Sequence, residues 1–326
     1  MPSPDTEFFQ PLIKLYVQLG STVLFGWILG RFLPKLVPVF IGKFLFWIGV
    51  PLSIIAFLRR ADLSGAIWIA PITAWMAILL GALLAWSWIK GQVLKSNADD
   101  SNPLSQVSVN SWSQPAKGSF LLSSMVGNTG YLGFPVTLTL VGEKYFGWAI
   151  FYDMLGTTIG AYGLGVLLAA RFGLQAQSHW QLVQAILVNP ALWSLGFGLA
   201  FRQIPLPELT ERGLQGFAWS AIALSLSLIG MRLSQLKSGH NLKRASVSLA
   251  IKMLLVPLVL GIGLFLLGIT GPPQLVIVLQ AAMPPAFATL VLAEVYELDR
   301  DLTVTALAVG STGLLLTLPI WLLLFG

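Results

Sequence analysis

Residues 123–142 read SSMVGNTGYLGFPVTLTLVG, and residues 275–296 read LVIVLQAAMPPAFATLVLAEVY. Both are apolar runs of membrane-spanning length, and both carry helix breakers in the middle. In the first, Gly127, Asn128, Thr129, Gly130, Gly133 and Pro135 crowd together; in the second, Met283, Pro284 and Pro285 are consecutive. Two adjacent prolines remove two helical hydrogen bonds, and their rings clash with the preceding turn. Backbone freed in this way at membrane depth is tolerated only inside protein or beside a cavity. The half-helix that restarts after a break points its positive N-terminal end, with its free N–H groups, at the centre. One kinked span would be ordinary, because glycine and proline are common in membrane helices. Two interrupted spans in corresponding positions of two halves are the sequence pointer to a transporter's binding site. Asn128, Thr129, Gly130, Gly133, Pro135, Met283, Pro284 and Pro285 are therefore the candidate substrate-binding positions, and an anion is the ligand that two such ends favour.

The rest of the chain suits this setting. It has 326 residues, 56% of them hydrophobic and only 10% charged, where a soluble domain carries about 25% charged residues. Nineteen Lys and Arg and thirteen Asp and Glu cannot coat a body of this size, so a water-soluble globular enzyme is excluded and membrane lipid is the first partner. The net charge of +6 is spread between apolar runs rather than gathered on one face, which argues against nucleic acid. The absence of cysteine excludes disulfides, thiolate zinc sites and a Cys nucleophile. The two histidines, His179 and His240, fall in polar connections. No metal and no cofactor are expected. The N-terminus, MPSPDTEFFQP, has no basic stretch ahead of its apolar run, so the first span reads as retained structure.

A membrane helix takes about 20 mostly apolar residues. Ten such segments are predicted, at 12–30, 36–58, 63–89, 118–142, 145–170, 180–201, 213–231, 243–267, 273–293 and 302–325. The fold class is thus an all-α integral membrane protein, and the continuous runs do not resemble the alternating strands of a barrel. Gly271-Pro272-Pro273 divides the long apolar stretch before span nine. Residues 91–117 are rich in Ser, Asn and Gln and read as a mobile loop. With the N-terminus outside, eleven basic residues lie on inward connections against six on outward ones. That bias places both termini outside, in what is expected to be the cell (inner) membrane.

An internal repeat divides the chain. PLSIIAFLRRADLSG (51–65) and SLSLIGMRLSQLKSG (225–239) match without gaps at Leu52/Leu226, Ser53/Ser227, Ile55/Ile229, Ser64/Ser238 and Gly65/Gly239. Each ends the second span of its half. Ten spans then form five plus five, with halves at 1–170 and 171–326. Because five is odd, the second half enters from the opposite side, which makes the repeat inverted. Ser53 and Ser227 either face a cavity or join helices, as serine commonly does in membranes.

Few ionisable residues lie inside spans. Asp153, in span five, either takes a proton or cation, or hydrogen-bonds a neighbouring helix. Lys252, in span eight, either snorkels to the inner surface or pairs with an acid in a coupling or support role; Lys43 in span two is expected to snorkel. Glu294 and Glu297 end span nine. No clear sodium site is visible, although carbonyls at the breaks leave H+ or Na+ coupling open. The twelve tryptophans, including Trp68, Trp86, Trp88, Trp148 and Trp180, lie mainly near span ends, as an aromatic belt requires.

The chain resembles the auxin efflux carrier family, which includes plant auxin exporters and bacterial permeases for small organic acids. The matching residues are Asn128-Thr129 with Gly133 and Pro135, then Ala281-Ala282-Met283-Pro284, Leu292-Ala293, Tyr296, Asp299 and Leu318-Pro319-Ile320. Asn189-Pro190 and Gly230-Met231-x-Leu233 resemble bacterial members. The resemblance implies ten helices in two inverted halves, with the fourth and ninth crossing at the site. It also implies alternating access and anionic substrates, with Asn128 and the backbone near Pro135 and Pro284 lining the site. Unlike plant exporters, the chain has a short turn at 171–179, and its third span carries no ionisable residue.

The leading expectation is a secondary permease for a small organic anion, a carboxylate or auxin-like weak acid. A channel or membrane sensor on the same fold is the alternative. There is no G-x-x-x-x-G-K-S/T loop for ATP, and no nucleophile with a base inside a span, so an enzyme is not expected. A homodimer stays open.

Overall fold

The computed structural model describes residues 16–34, 36–99, 112–173, 190–235 and 241–326, with Ile13 and Val188. His179, His240, Trp180, Asn189, the centre of the 91–117 connection and the first part of span six lie outside the described residues. The described chain is helical throughout, apart from turns and one isolated bridge. Twelve helical segments are named here in chain order. They are α1 (Ser21–Phe32), α2 (Leu36–Leu58), α3 (Ile69–Asp99), α4 (Gln114–Met125), α5 (Phe134–Leu140), α6 (Glu143–Phe172), α7 (Pro190–Phe201), α8 (Glu208–Gln235), α9 (Leu242–Leu266), α10 (Pro272–Ala281), α11 (Phe287–Val295) and α12 (Arg300–Phe325).

Among the described residues, six helices are long and apolar enough to cross a membrane: α2, α3, α6, α8, α9 and α12. In hydrocarbon every backbone N–H and C=O needs a partner within its own segment, which is why these runs coil. Two of the remaining predicted spans are the interrupted ones, 118–142 and 273–293. The other two, 12–30 and 180–201, reach into residues outside those described.

The expected loop at 91–117 needs correction. Helix α3 continues to Asp99, and α4 already starts at Gln114. Polarity marked where the membrane ends, not where the helix ends. The start of α4 has a local cause: Ser113 accepts the Ala116 N–H at 3.3 Å, and Pro115 occupies the first turn.

The interrupted helices form the interior. Residues Gly118–Met125 of α4 and Gln274–Ala281 of α10 are all buried. By contrast α1 exposes Leu24, Phe25, Ile28 and Phe32, and α12 exposes Leu316, Leu323 and Leu324. Such apolar faces are suited to lipid. Trp148 is not a belt residue, since it is buried in the main core; Trp68, Trp86 and Trp88 are exposed.

Helices α1 and α8 cross at backbone contact. A Cβ on Gly26 would lie 2.0 Å from the Ser227 carbonyl oxygen, and one on Gly230 would lie 2.0 Å from that of Val23. Gly26 and Gly30 form the G-x-x-x-G spacing that lets membrane helices approach so closely. At one end of the bundle Arg59 ties α2 to α7 and α8. It pairs with Glu211 at 3.0 Å and donates to the carbonyls of Phe201 and Ile204. Glu143 accepts from Gln215 at 2.7 Å and from Trp219 at 3.2 Å. At α12, Asp299 caps the helix through Leu302 N–H at 2.9 Å, and its carbonyl accepts Ser119 Oγ at 2.8 Å. Ser53 and Ser227 each bond back one turn, to the carbonyls of Gly49 at 2.7 Å and Ala223 at 3.1 Å.

Candidate functional site

Helix α4 stops at Met125 because Gly127 and Asn128 leave helical geometry; Asn128 has φ −82° and ψ 62°. Helix α10 stops at Ala281 because Pro284 and Pro285 cannot donate to Gln280 and Ala281. The two unwound stretches meet. Asn128 N–H donates to the Pro284 carbonyl at 2.7 Å, and Ala286 N–H donates to the Val126 carbonyl at 3.0 Å. Gly127 and Pro285 thereby form an antiparallel bridge, a two-bond piece of sheet in the middle of a helical protein. Each break repairs part of the other's lost hydrogen bonding, as buried backbone requires. A Cβ on Gly127 would fit tightly here, 3.0 Å from Lys252 Nζ and 3.3 Å from the Met283 carbonyl oxygen.

Beyond the bridge, both chains restart as helices. Thr129–Gly133 forms a π-helical turn leading into α5, and Phe287 begins α11. The opening residues of both, Thr129 to Tyr131 and Ala286 to Ala288, border one cavity of about 420 Å³. The first amides of a helix have no acceptor within it, so two sets of N–H groups start at the wall of this cavity. Asn128 lines it too, and its side-chain Nδ2 is buried with no hydrogen-bond partner among the described residues. A buried donor left unpaired costs about 1–3 kcal/mol, a cost that an acceptor in the cavity relieves.

The other walls supply charge. Asp153 is 6% exposed, accepts a hydrogen bond from Thr129 Oγ1 and borders the cavity. It sits on the π-helical turn Tyr152–Thr158 of α6, and π-turns recur at functional sites because they re-aim a side chain. Of its two sequence readings, the bond to a neighbouring helix is present, and the residue also faces the cavity. Arg232, from the last turn of α8, reaches the same cavity. Its guanidinium lies 4.8 Å from the Phe287 ring centre, and a Cβ on Gly42 would come within 2.7 Å of its Nη2. No carboxylate pairs with Arg232 among the described residues. Lys43, exposed on α2, stands at the rim.

Asn128, Thr129 and Gly130 of the predicted set line this cavity, together with Asp153. Gly133, Pro135, Met283, Pro284 and Pro285 do not. Pro284 and Pro285 build the bridge behind it, Pro135 sits in the first turn of α5, and a Cβ on Gly133 would lie 2.3 Å from Gln280 Oε1. Ser53 and Ser227 lie away from the cavity. Sequence reasoning missed Arg232 as a lining residue. Its only signal was a basic residue beside the Gly230-Met231 motif. Lys252 needs correction: it does not snorkel but is 2% exposed, with Nζ 2.5 Å from the Ala281 carbonyl oxygen. Among the described residues, no group of three or more His, Asp or Glu could hold a metal ion.

Residues 177–322 match the family model described as membrane transport protein. An uncharacterized transporter of Methanothermobacter thermautotrophicus is 27% identical over 277 residues, 84% of this chain and 84% of its own length. An uncharacterized transporter of Methanocaldococcus jannaschii is 28% identical over 211 residues, covering 63% of this chain and 67% of that protein. A probable auxin efflux carrier component of Oryza sativa subsp. japonica is 26% identical over 151 residues, 43% of this chain and 34% of its own length. Over residues 177–322 the chain is thus similar to membrane transport proteins, and the relatives it matches are transporters and an auxin efflux carrier component. It is an integral membrane protein, and this likeness points away from an enzyme. The paired breaks lie in segments whose residues carry the resemblance.

Proposed function

We propose that this protein is a secondary transporter for a small organic anion, built from ten membrane helices in two inverted halves, 1–170 and 171–326. The observation that carries the reading is the side-chain Nδ2 of Asn128, without a partner among the described residues, beside the paired breaks. A carboxylate in the cavity accepts from Asn128 Nδ2 and from the starts of the two half-helices, while the Arg232 guanidinium neutralises it. The apolar remainder of the wall, with Phe46, Trp47 and Phe287, holds the organic part of the substrate. The reciprocal bonding of the breaks and the matching Ser53 and Ser227 back-bonds support an inverted repeat. Alternating access follows from motion of the bundle that carries the breaks against the rest. The protein sits in the cell (inner) membrane with both termini outside, as its basic residues favour.

The test is a thermal-shift screen of the detergent-purified protein with small carboxylates, including malonate, lactate, pyruvate and indole-3-acetate, followed by flux into proteoliposomes. A binding anion raises the apparent melting temperature. Asn128→Ala is expected to weaken that anion about 10- to 100-fold, the worth of one hydrogen bond to a charged group, while the ligand-free melting temperature does not fall, because the unpaired donor is removed. Unaltered affinity in Asn128→Ala removes the residue from the site. Flux that rises linearly without saturating identifies a channel instead.

Asp153 is the proposed proton carrier. Asp153→Asn mimics its neutral form. It is expected to keep exchange of labelled for unlabelled anion but to lose accumulation driven by an imposed pH gradient. Accumulation equal to the parent protein's returns Asp153 to a structural role bonded to Thr129.

A further inference from the structure

The amine of Lys252 lies behind the crossed breaks, not in the substrate cavity. It comes from the π-helical turn Ile251–Leu255 of α9 and is buried. Its Nζ donates a hydrogen bond to the carbonyl of Ala281 at 2.5 Å. That carbonyl is an orphan for a clear reason. In an unbroken helix it would accept the N–H of residue 285, and residue 285 is a proline. The preceding carbonyl, of Gln280, takes the Met283 N–H at 3.3 Å instead. Ala281 ends α10, so its carbonyl belongs to the negative end of a half-helix. The Met283 carbonyl lies on the same side, within 3.3 Å of a Cβ placed on Gly127, where Lys252 Nζ is itself 3.0 Å away. No carboxylate pairs with Lys252 among the described residues.

Unwound carbonyls and the C-terminal end of a broken half-helix are the environment in which broken-helix transporters hold a coupling cation. Here a lysine amine stands in that environment. We infer that the Lys252 amine is a tethered donor that occupies the ion position at the crossed breaks, so that the protein binds no sodium there and works without it. The amine remains attached to α9 and bonds the broken end of α10 whether or not substrate is present. Lys252 is thus a positioning residue: it holds the Ala281–Pro285 turn, and through the Gly127–Pro285 bridge it holds Asn128.

This inference rests on reading the paired breaks as a transport site. Its test reads the cation alone, with no substrate present, so its outcome is separable from the carboxylate screen. Melting temperatures of the parent protein and of Lys252→Ala are compared in sodium, potassium and choline chloride at equal ionic strength. The parent protein is expected to melt at one temperature in all three. Lys252→Ala is expected to melt lower in choline and to gain a saturable, sodium-specific rise of about 3 °C, because the vacated carbonyls then accept the ion. A purely structural lysine would give a destabilised variant that responds equally to all three salts. If Lys252→Ala does not fold, Lys252→Ser, whose hydroxyl adds an oxygen ligand, replaces it with the same expectation. A saturable sodium response in the parent protein, or a folded variant with none, overturns the inference.

Discussion

Arg232→Gln is expected to lower carboxylate uptake about 10- to 100-fold, chiefly through KM, because it removes a charge-assisted interaction of about 1.5–3 kcal/mol. The argument starts from the environment of the guanidinium. It is half-buried at the end of α8, it rests near the Phe287 ring at 4.8 Å, and no carboxylate pairs with it among the described residues. Phe287 also begins α11, so the cation and the N-terminus of that half-helix face the same space. An anion that enters meets both. Arginine offers a planar fork that grips a carboxylate at two points, whereas lysine offers a point charge. Arg232→Lys is therefore expected to recover only part of the loss. Initial-rate uptake into proteoliposomes over a range of substrate concentrations reads both variants, and a KM unchanged in Arg232→Gln sinks the assignment. Lys43 at the rim stays in place in both and keeps the mouth positive.

Gly26→Val is expected to prevent assembly of a stable folded protein. Its Cβ would fall 2.0 Å from the Ser227 carbonyl oxygen and 2.6 Å from the carbonyl carbon. Those are backbone atoms of α8, and no rotamer change relieves them. The two helices must separate, which loses contact along the whole α1–α8 crossing. Overpacking costs about 1–3 kcal/mol where side chains can adjust, and the cost is at least at the top of that range where backbone meets backbone. The measurement is size-exclusion behaviour and melting temperature in detergent. Gly263→Val on α9 is the control, since a Cβ there meets nothing within 4 Å. If Gly26→Val melts with the parent protein, the close crossing is not what holds α1 to α8.

How much was legible beforehand varied from element to element. Helices α9 and α12 were read to within two residues, at 243–267 against Leu242–Leu266 and 302–325 against Arg300–Phe325. Both are long apolar runs with charge at their N-terminal ends, a pattern lipid selects directly. Helix α3 was read ten residues short at its C-terminal end, because a helix leaving the membrane becomes polar without ending. Both interruptions were legible, because proline lacks a donor and the cluster of glycines weakens a helix wherever it falls. Their width was not. The break in α4–α5 is confined to 126–128, and Pro135 proves to be an ordinary first-turn proline.

What the residues determined by themselves is therefore the lipid-facing character of the chain, its helicity and the position of its two weak points. Each follows from short-range chemistry: the cost of bare backbone in hydrocarbon, and the missing N–H of proline. Only the tertiary structure decided that the weak points bond to one another, that the side-chain Nδ2 of Asn128 is left without a partner among the described residues, and that Arg232 enters the cavity. It also decided that Lys252 turns inward. A lysine on an apolar helix can reach either water or a buried acceptor. The choice was made by the orphaned Ala281 carbonyl, nearly thirty residues further along the chain and close only once the helices have packed.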